Sequence, residues 1–144
     1  MSDAIRNLTQ LLRGLRPERR PGVWAYATCT DESALARLRP FAIIRETEAT
    51  TAIAREEDVR AAGLEPLFRC AWIELTVHSD LEAVGLTAAV ASALTMRGIS
   101  CNVVAAAYHD HLFVPLERAD DAMDALHTLQ RDAAIQDVSS DSSQ

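Results

Sequence analysis

The sequence predicts an α+β protein whose chain runs twice through the order strand, helix, strand, strand, helix. The second passage, between residues 70 and 129, has the clearer pattern. Apolar residues first alternate with polar ones from 71 to 77, and then recur at helical spacing from 84 to 97. The first pattern is typical of a half-buried strand and the second of an amphipathic helix. A fourth strand around Ile135 would complete the βαββαβ unit of ferredoxin-like folds.

The elements of this second unit follow from individual residues. The first strand places Ile73, Leu75 and Val77 on one face. Its helix is expected to end before Gly98, because glycine readily adopts the left-handed conformation that closes a helix. Two strands and a second amphipathic helix are then expected, over 99–106, 110–115 and from about 119.

The first half of the chain carries the same order of elements with shorter helices. An amphipathic helix over 3–15 precedes it and is stopped by Pro17 and Pro21. Each half alone would be marginally stable, so the two lobes are expected to share one core. The elements predicted for the first half are a strand at 23–29, a helix at 31–38, a hairpin of 41–46 and 50–54, and a helix at 56–62.

These elements divide the chain into four segments. The two lobes are expected to pack through one continuous interface, with the boundary near 68–71. The serine-rich C-terminus has few apolar residues to bury, so it is expected to be disordered. The segments are an N-terminal helix (1–20), a first, shortened lobe (21–69), a second lobe (70–136) and a tail (137–144).

Composition excludes several classes of function. The chain has 144 residues, a net charge of −7 at pH 7 and no lysine. An acidic chain lacks the basic surface that nucleic acids need, and the absence of lysine excludes Schiff-base chemistry and a P-loop. The glycines are too scattered for a nucleotide-binding loop, and no GxSxG motif is present. No catalytic residues and no cofactor are therefore expected.

Apolar runs and cysteines bear on the location of the protein. No apolar run approaches the roughly 20 residues that a membrane helix needs, so no membrane partner is expected. The three cysteines are odd in number and lack CxxC spacing. This usage is typical of a reduced, cytoplasmic protein rather than of a disulfide or zinc framework.

Three segments of the second half resemble the tandem ACT-domain family: VHSDLEAVGL at 77–86, GISCNV at 98–103 and YHDHLFVP at 108–115. ACT domains are ferredoxin-like regulatory modules that commonly bind amino acids and control metabolic enzymes. The resemblance implies two ACT-like lobes in a non-catalytic protein that binds an amino acid or a related metabolite. The ligand-binding residues that it implies are His78, Ser79, Asp80, Val84, Gly85, Leu86, Cys101, Asn102 and Val103.

Within that family, a glycine near the start of the first helix lets a ligand approach the backbone, and Gly85 matches it. Asn102 matches a second-strand residue that often faces the ligand. Val84 departs from the family, since many amino-acid-binding ACT domains have proline before the glycine. The first lobe also lacks a glycine at the equivalent point, which argues against a second, symmetric site.

Elementary chemistry points to the same place. Gly85 near a helix N-terminus would leave backbone N–H groups open to a ligand carboxylate. Asp80 and Glu82 beside it could receive an ammonium group. The alternative is that Asp80 only caps the helix and that Gly85 only permits tight packing.

The histidines give a second hypothesis. His109 and His111 share one face of a strand, and His78 is expected at the same end of the sheet. Three imidazoles could bind a metal ion, and a metal-dependent enzyme would add Asp110 or Asp80 as general base. The alternative is a polar turn whose histidines hydrogen-bond to the backbone.

Aromatic residues suggest an assembly surface. Trp24, Tyr26 and Trp72 are expected on the sheet face opposite the aliphatic residues. An exposed aromatic face would contact another subunit, unless the helix at 3–15 covers it. Edge strands of such a sheet also present unpaired backbone groups. We therefore expect a homodimer, and a ligand-free assembly module is a third hypothesis for function.

Overall fold

The computed structural model describes residues 3–77 and 85–141, with side chains for 7–77 and 85–136. The strands are β1 (Pro17–Arg19), β2 (Trp24–Cys29), β3 (Ala42–Arg45), β4 (Thr50–Arg55), β5 (Phe68–Leu75), β6 (Asn102–Ala105) and β7 (Asp110–Pro115). The helices are α1 (Asp3–Arg13), α2 (Glu32–Leu38), α3 (Glu56–Ala61), α4 (Leu86–Thr95) and α5 (Ala119–Asp141), with a 3-10 turn at Leu116–Arg118.

All seven strands form one antiparallel sheet in the order β3-β4-β2-β5-β7-β6, with β1 also beside β5. Strand β5 serves both lobes. Its first residues pair with β2, where Phe68 lies opposite Tyr26, and this makes β5 the fourth strand of the first lobe. Along its length from Cys70 to Leu75 it also pairs with β7, as the first strand of the second lobe. The two-lobed, ferredoxin-like α+β prediction is therefore confirmed.

The fourth strand of the second lobe comes from the N-terminus. Strand β1 pairs with β5, with Pro17 opposite Leu75 and Arg19 opposite Ile73. The predicted strand around Ile135 is wrong, since Ile135 lies in α5 with 66% of its surface exposed. With β1 and β2 along one side of β5 and β7 along the other, no place beside it is left for a C-terminal strand.

Helix α5 also changes the description of the C-terminus. It continues to Asp141, into the segment from 137 that was expected to be disordered. Residues 142–144 lie outside the described part of the chain. The division into lobes at 21–69 and 70–136 stays a prediction, because β5 belongs to both.

The core is divided between the two faces of the sheet. Helices α1, α4 and α5 pack over the second lobe, where Ile73, Val90 and Leu126 are fully buried. Helices α2 and α3 pack over the first lobe in a separate cluster. The expectation of one shared core is therefore wrong for the helical face. The lobes share apolar packing on the opposite face, in what we call the helix-free cluster: Trp24, Tyr26, Phe41, Ile53, Phe68, Cys70, Trp72 and Phe113.

Helix α1 lies on the helical face and not over the helix-free cluster. Its Leu12 is buried with Leu86 of α4, and the side-chain amide of Gln130 donates to the carbonyl oxygen of Arg13 at 2.9 Å. In the described part of the chain, every helix is too short or too polar to cross a bilayer.

Candidate functional site

The predicted ligand site is centred on the start of α4. Gly85 is the N-cap of this helix and has φ +102°, a left-handed conformation that favours glycine. The carbonyl oxygen of Gly85 accepts the first helical hydrogen bond, from Ala89 at 2.9 Å. Leu86 is 2% exposed within the core, so it can offer a ligand its backbone but not its side chain.

A side chain from α1 occupies the space beside Gly85. The Cδ2 atom of Leu8 lies 3.1 Å from the position that a Cβ atom on Gly85 would take, and Cδ1 lies at 3.5 Å. The missing side chain of Gly85 is therefore required by two features, the backbone conformation and the packing of Leu8. Tight packing at Gly85 was expected as an alternative to a ligand; the left-handed conformation was not predicted.

The second predicted group lies at the start of β6, which is an edge strand of the sheet. Asn102 is exposed and pairs with Phe113, whereas Val103 is half-buried and packs against the core of the second lobe. Cys101 precedes them, and burial raises the pKa of its thiol to about 11, so it is protonated at neutral pH. His78, Ser79, Asp80 and Val84 lie outside the described residues.

His111 has a structural partner, whereas the buried Nδ1 atom of His109 has no hydrogen-bond partner within the described residues. His111 is 7% exposed, and its Nδ1 atom accepts a hydrogen bond from Nε1 of Trp72 at 3.1 Å. That bond engages the lone pair that Nδ1 would give to a metal ion. Asp110 alternates with His111, so its side chain lies on the other face of the sheet. His78 lies outside the described residues, and within them no three potential ligands cluster.

A buried ion pair on the helix-free face was not predicted. Glu74 has a side chain only 8% exposed, and one of its carboxylate oxygens accepts from the Arg20 guanidinium. The register places Glu74 directly between Glu18 of β1 and His111 of β7. Period-two alternation assigned Glu74 to a solvated face, and Arg20 carried no local signal, because their contact joins residues 54 positions apart.

Phe41 of the first lobe packs against two neighbours of this ion pair, Trp72 beside Arg20 and His111 opposite Glu74. The ring of Phe41 lies 4.4 Å from that of Trp72 and 4.8 Å from the imidazole of His111, measured between centroids. Trp24 meets Trp72 edge to face at 4.7 Å. Trp24 and Trp72 thus lie on the face opposite the aliphatic residues, and α1 does not cover them, since it packs on the helical face.

Protonation of His111 is expected to weaken the fold. Burial lowers the pKa of His111, and the charges of His109 and Arg20 lower it further, while Asp110 acts in the opposite direction. The unfolded chain, with a histidine pKa near 6.5, therefore binds the proton more readily than the folded one, and stability is lost as the pH falls below that value. A proton on Nδ1 also removes the acceptor of the Trp72 hydrogen bond.

Urea unfolding at pH 7.5 and pH 5.5 measures this effect. The loss of unfolding free energy between the two values should be smaller in His111→Gln than in the wild type. His127→Gln, at an exposed position of α5, is the matched control and should behave as the wild type. An identical loss in all three proteins would contradict the assignment to His111.

Comparisons with known proteins agree with the architecture. One family model, described as an ACT domain, matches residues 3–71, and a second ACT-domain model matches residues 67–128. A search of curated proteins finds no match.

Similar solved structures include a protein of unknown function from Vibrio cholerae, described as a possible transport protein. It is 42% identical, with a TM-score of 0.80 over 89% of this chain and 99% of that one. The ligand-free regulatory subunit of aspartate kinase from Thermus thermophilus is 12% identical, with a TM-score of 0.62 over 78% and 95% of the two chains. Aspartokinase III of E. coli, solved with aspartate and ADP, is 13% identical, with a TM-score of 0.56 over 80% and 32%. This chain therefore belongs to the ACT-domain family and carries two ACT domains in tandem.

Proposed function

We propose that this protein is a non-catalytic regulator that binds an amino acid or a related small metabolite at the start of α4. The observation that carries the proposal is Gly85, a left-handed N-cap without a side chain, in a family whose domains typically bind amino acids. The bound state of a structural neighbour, aspartokinase III with aspartate, is consistent with such a ligand.

The chemistry of the site suits a zwitterion. The ligand carboxylate meets the N–H groups of the first turn of α4, where the helix dipole is positive. This helix has ten residues and no acidic residue in its first turn. The ammonium group meets Asp80. Asn102 pairs with Phe113 of the helix-free cluster, so its side chain lies on the opposite face of the sheet from α4 and is left out of the proposed site. His78, Ser79 and Val84 complete the proposed site.

A thermal-shift screen of the twenty standard amino acids tests the proposal. A ligand at about a hundred times its dissociation constant should stabilise the fold by roughly 2.7 kcal/mol. For a chain of this size, that corresponds to a rise in melting temperature of about 5 °C or more. Asp80→Asn should reduce the shift, because it removes the charge proposed to meet the ammonium group, whereas Thr28→Ala, at an exposed strand position of the first lobe, should leave it unchanged.

A substitution at Gly85 is a poor test of binding. Any side chain there is strained at φ +102° and meets Leu8, so Gly85→Val would lower stability even without a ligand. The screen itself gives the decisive outcome. If no amino acid at millimolar concentration moves the melting temperature by more than about one degree, amino-acid binding is wrong, and the assembly-module hypothesis replaces it.

We also propose that the protein is a homodimer joined through β6. The amide of Ala106 donates to the carbonyl oxygen of His109 at 3.1 Å, which makes them a hydrogen-bonded pair. Because such pairs alternate along an antiparallel ladder, the N–H and C=O groups of Val103 and Ala105 point to the open edge. The segment 99–107 contains no charged residue that would protect this edge from pairing.

Light scattering at micromolar concentration tests the dimer. The wild type should have twice the monomer mass of 15.7 kDa. Ala105→Pro removes an outward N–H without touching the β7 ladder, so it should give the monomer. Ile43→Pro makes the same change at the opposite edge, on β3, and should leave the dimer intact. A wild type of monomer mass, or a dimeric Ala105→Pro protein, contradicts the proposal.

We place the protein in the cytoplasm. Cys29, Cys70 and Cys101 are all free thiols, and Cys29 and Cys70 are buried. Unpaired cysteines suit a reducing compartment.

A further inference from the structure

Helix α1 and the glycine just after it lie against the two described residues that border the segment between β5 and α4. Leu8 touches Gly85, which follows that segment. Just beyond the end of the helix, a Cβ atom on Gly14 would lie 3.8 Å from Cγ2 of Val77, which precedes it. Leu8 and Gly14 are six residues apart, or about 9 Å along a helix. The N-terminal helix therefore lies alongside the entrance to the proposed ligand site.

The position of α1 is maintained by the core of the second lobe. Leu12 and Leu15 are buried there, and Leu8 and Leu11 are partly buried against the same cluster. Since Leu86 belongs to that cluster, α1 and the first residue of α4 share apolar neighbours. Displacement of α1 would expose these leucines to water, so their burial stabilises the docked position of the helix.

Leu8 and a ligand compete for the same space. Its Cδ2 atom already lies 3.1 Å from the Cβ position of Gly85, closer than ordinary van der Waals contact. A carboxylate that approached the backbone from this side would overlap with Leu8. The two can alternate at Gly85, but they cannot occupy it together.

We infer that α1 is a built-in competitor for the ligand site, with Leu8 in the place that the ligand takes. The inference rests on the proposed amino-acid site at Gly85. Ligand binding then displaces the first turns of α1 from the core. Because only molecules with α1 displaced can bind, the apparent affinity for the ligand is the intrinsic affinity multiplied by the fraction of such molecules. By thermodynamic linkage, any contact that stabilises the docked position of α1 weakens ligand binding, and ligand binding destabilises the docked position by the same free energy.

Calorimetric titration of the full chain with the twenty standard amino acids tests this. Leu8→Ala removes the competing side chain and should bind the ligand roughly tenfold more tightly than the wild type, because about 1.4 kcal/mol of α1 packing no longer opposes binding. Leu8→Val should give a smaller gain and serves if the alanine variant folds poorly. Asn7→Ala, at an exposed position of the same helix, is the matched control and should bind as the wild type.

Hydrogen exchange provides the second measurement. The amino acid that binds should accelerate amide exchange in residues 8–13 of the wild type, because α1 undocks. Equal or weaker binding by Leu8→Ala, or slower exchange in α1 on binding, would contradict the competition between Leu8 and the ligand without contradicting amino-acid binding. Binding by none of the proteins, Leu8→Ala included, would overturn the proposed function and the competitor with it.

Discussion

Phe113→Ala is expected to lower the free energy of unfolding by about 3–5 kcal/mol, the range for truncating a buried aromatic side chain. Phe113 is fully buried at the centre of the helix-free cluster. Its ring lies 5.8 Å from Tyr26 of the first lobe, 5.7 Å from Phe41 and 6.1 Å from Trp72. The cavity left by alanine therefore removes contacts that join the two lobes, to Tyr26 and Phe41, as well as the contact with Trp72 within the second lobe.

Urea unfolding followed by circular dichroism measures this loss. Because the lobes share a sheet and this cluster, the variant should still unfold in one transition at a lower urea concentration. Ile135→Ala, on the exposed face of α5, is the control and should change stability by less than about 0.5 kcal/mol. Two separate transitions, or a loss below about 1 kcal/mol, would contradict a central role for Phe113.

Arg20→Met is expected to be the second most damaging change. It leaves the carboxylate of Glu74, with a side chain 8% exposed, without its cation. Breaking a fully buried pair costs about 3–5 kcal/mol, and since the side chain of Arg20 is 38% exposed, we expect about 1–3 kcal/mol. The change also removes the guanidinium of Arg20 from the ring of Trp72, whose centroid lies 5.8 Å from Cζ, so part of the loss is a cation–π contact.

A second substitution distinguishes the charge from the packing. Glu74→Gln in the Arg20→Met background removes the unpaired charge and should recover part of the lost stability. Arg45→Met breaks the pair with Glu32, in which both side chains are exposed, and should cost less than about 1 kcal/mol. If Arg20→Met were as mild as Arg45→Met, or if Glu74→Gln gave no recovery, the ion pair would not stabilise the fold.

Local patterns in the sequence predicted most of the elements. Alternation around Ile73 gave β5, and Gly98 has φ +69° at the end of α4, as its position indicated. The error at Ile135 had a non-local cause. Three residues at Pro17–Arg19 fill the fourth-strand position, and so short a segment, next to prolines, has no periodicity to reveal it.

The candidate site was also predicted only in part. Gly85 lies at the start of α4, as predicted, but its left-handed conformation was not predicted, and the side chain of Asn102 lies on the face of the sheet opposite α4. The contact of Leu8 with Gly85 was not predicted, because a helical pattern shows which face is apolar but not which residue it meets. Burial of Glu74 was missed for a related reason, since its partner Arg20 lies 54 positions away in the chain.

The contribution of β1 and α1 to the second lobe has a consequence for synthesis on the ribosome. These segments are made first, but Arg13 receives its hydrogen bond from Gln130, 117 residues later. At typical elongation rates, that residue is made roughly 6 to 23 s after Arg13. During that time the leucines of α1 in the nascent chain lack the α5 residues against which they pack in the folded protein. A fragment that begins at β2 would lack the fourth strand of its second lobe, so we expect neither ACT domain to be stable when it is produced alone.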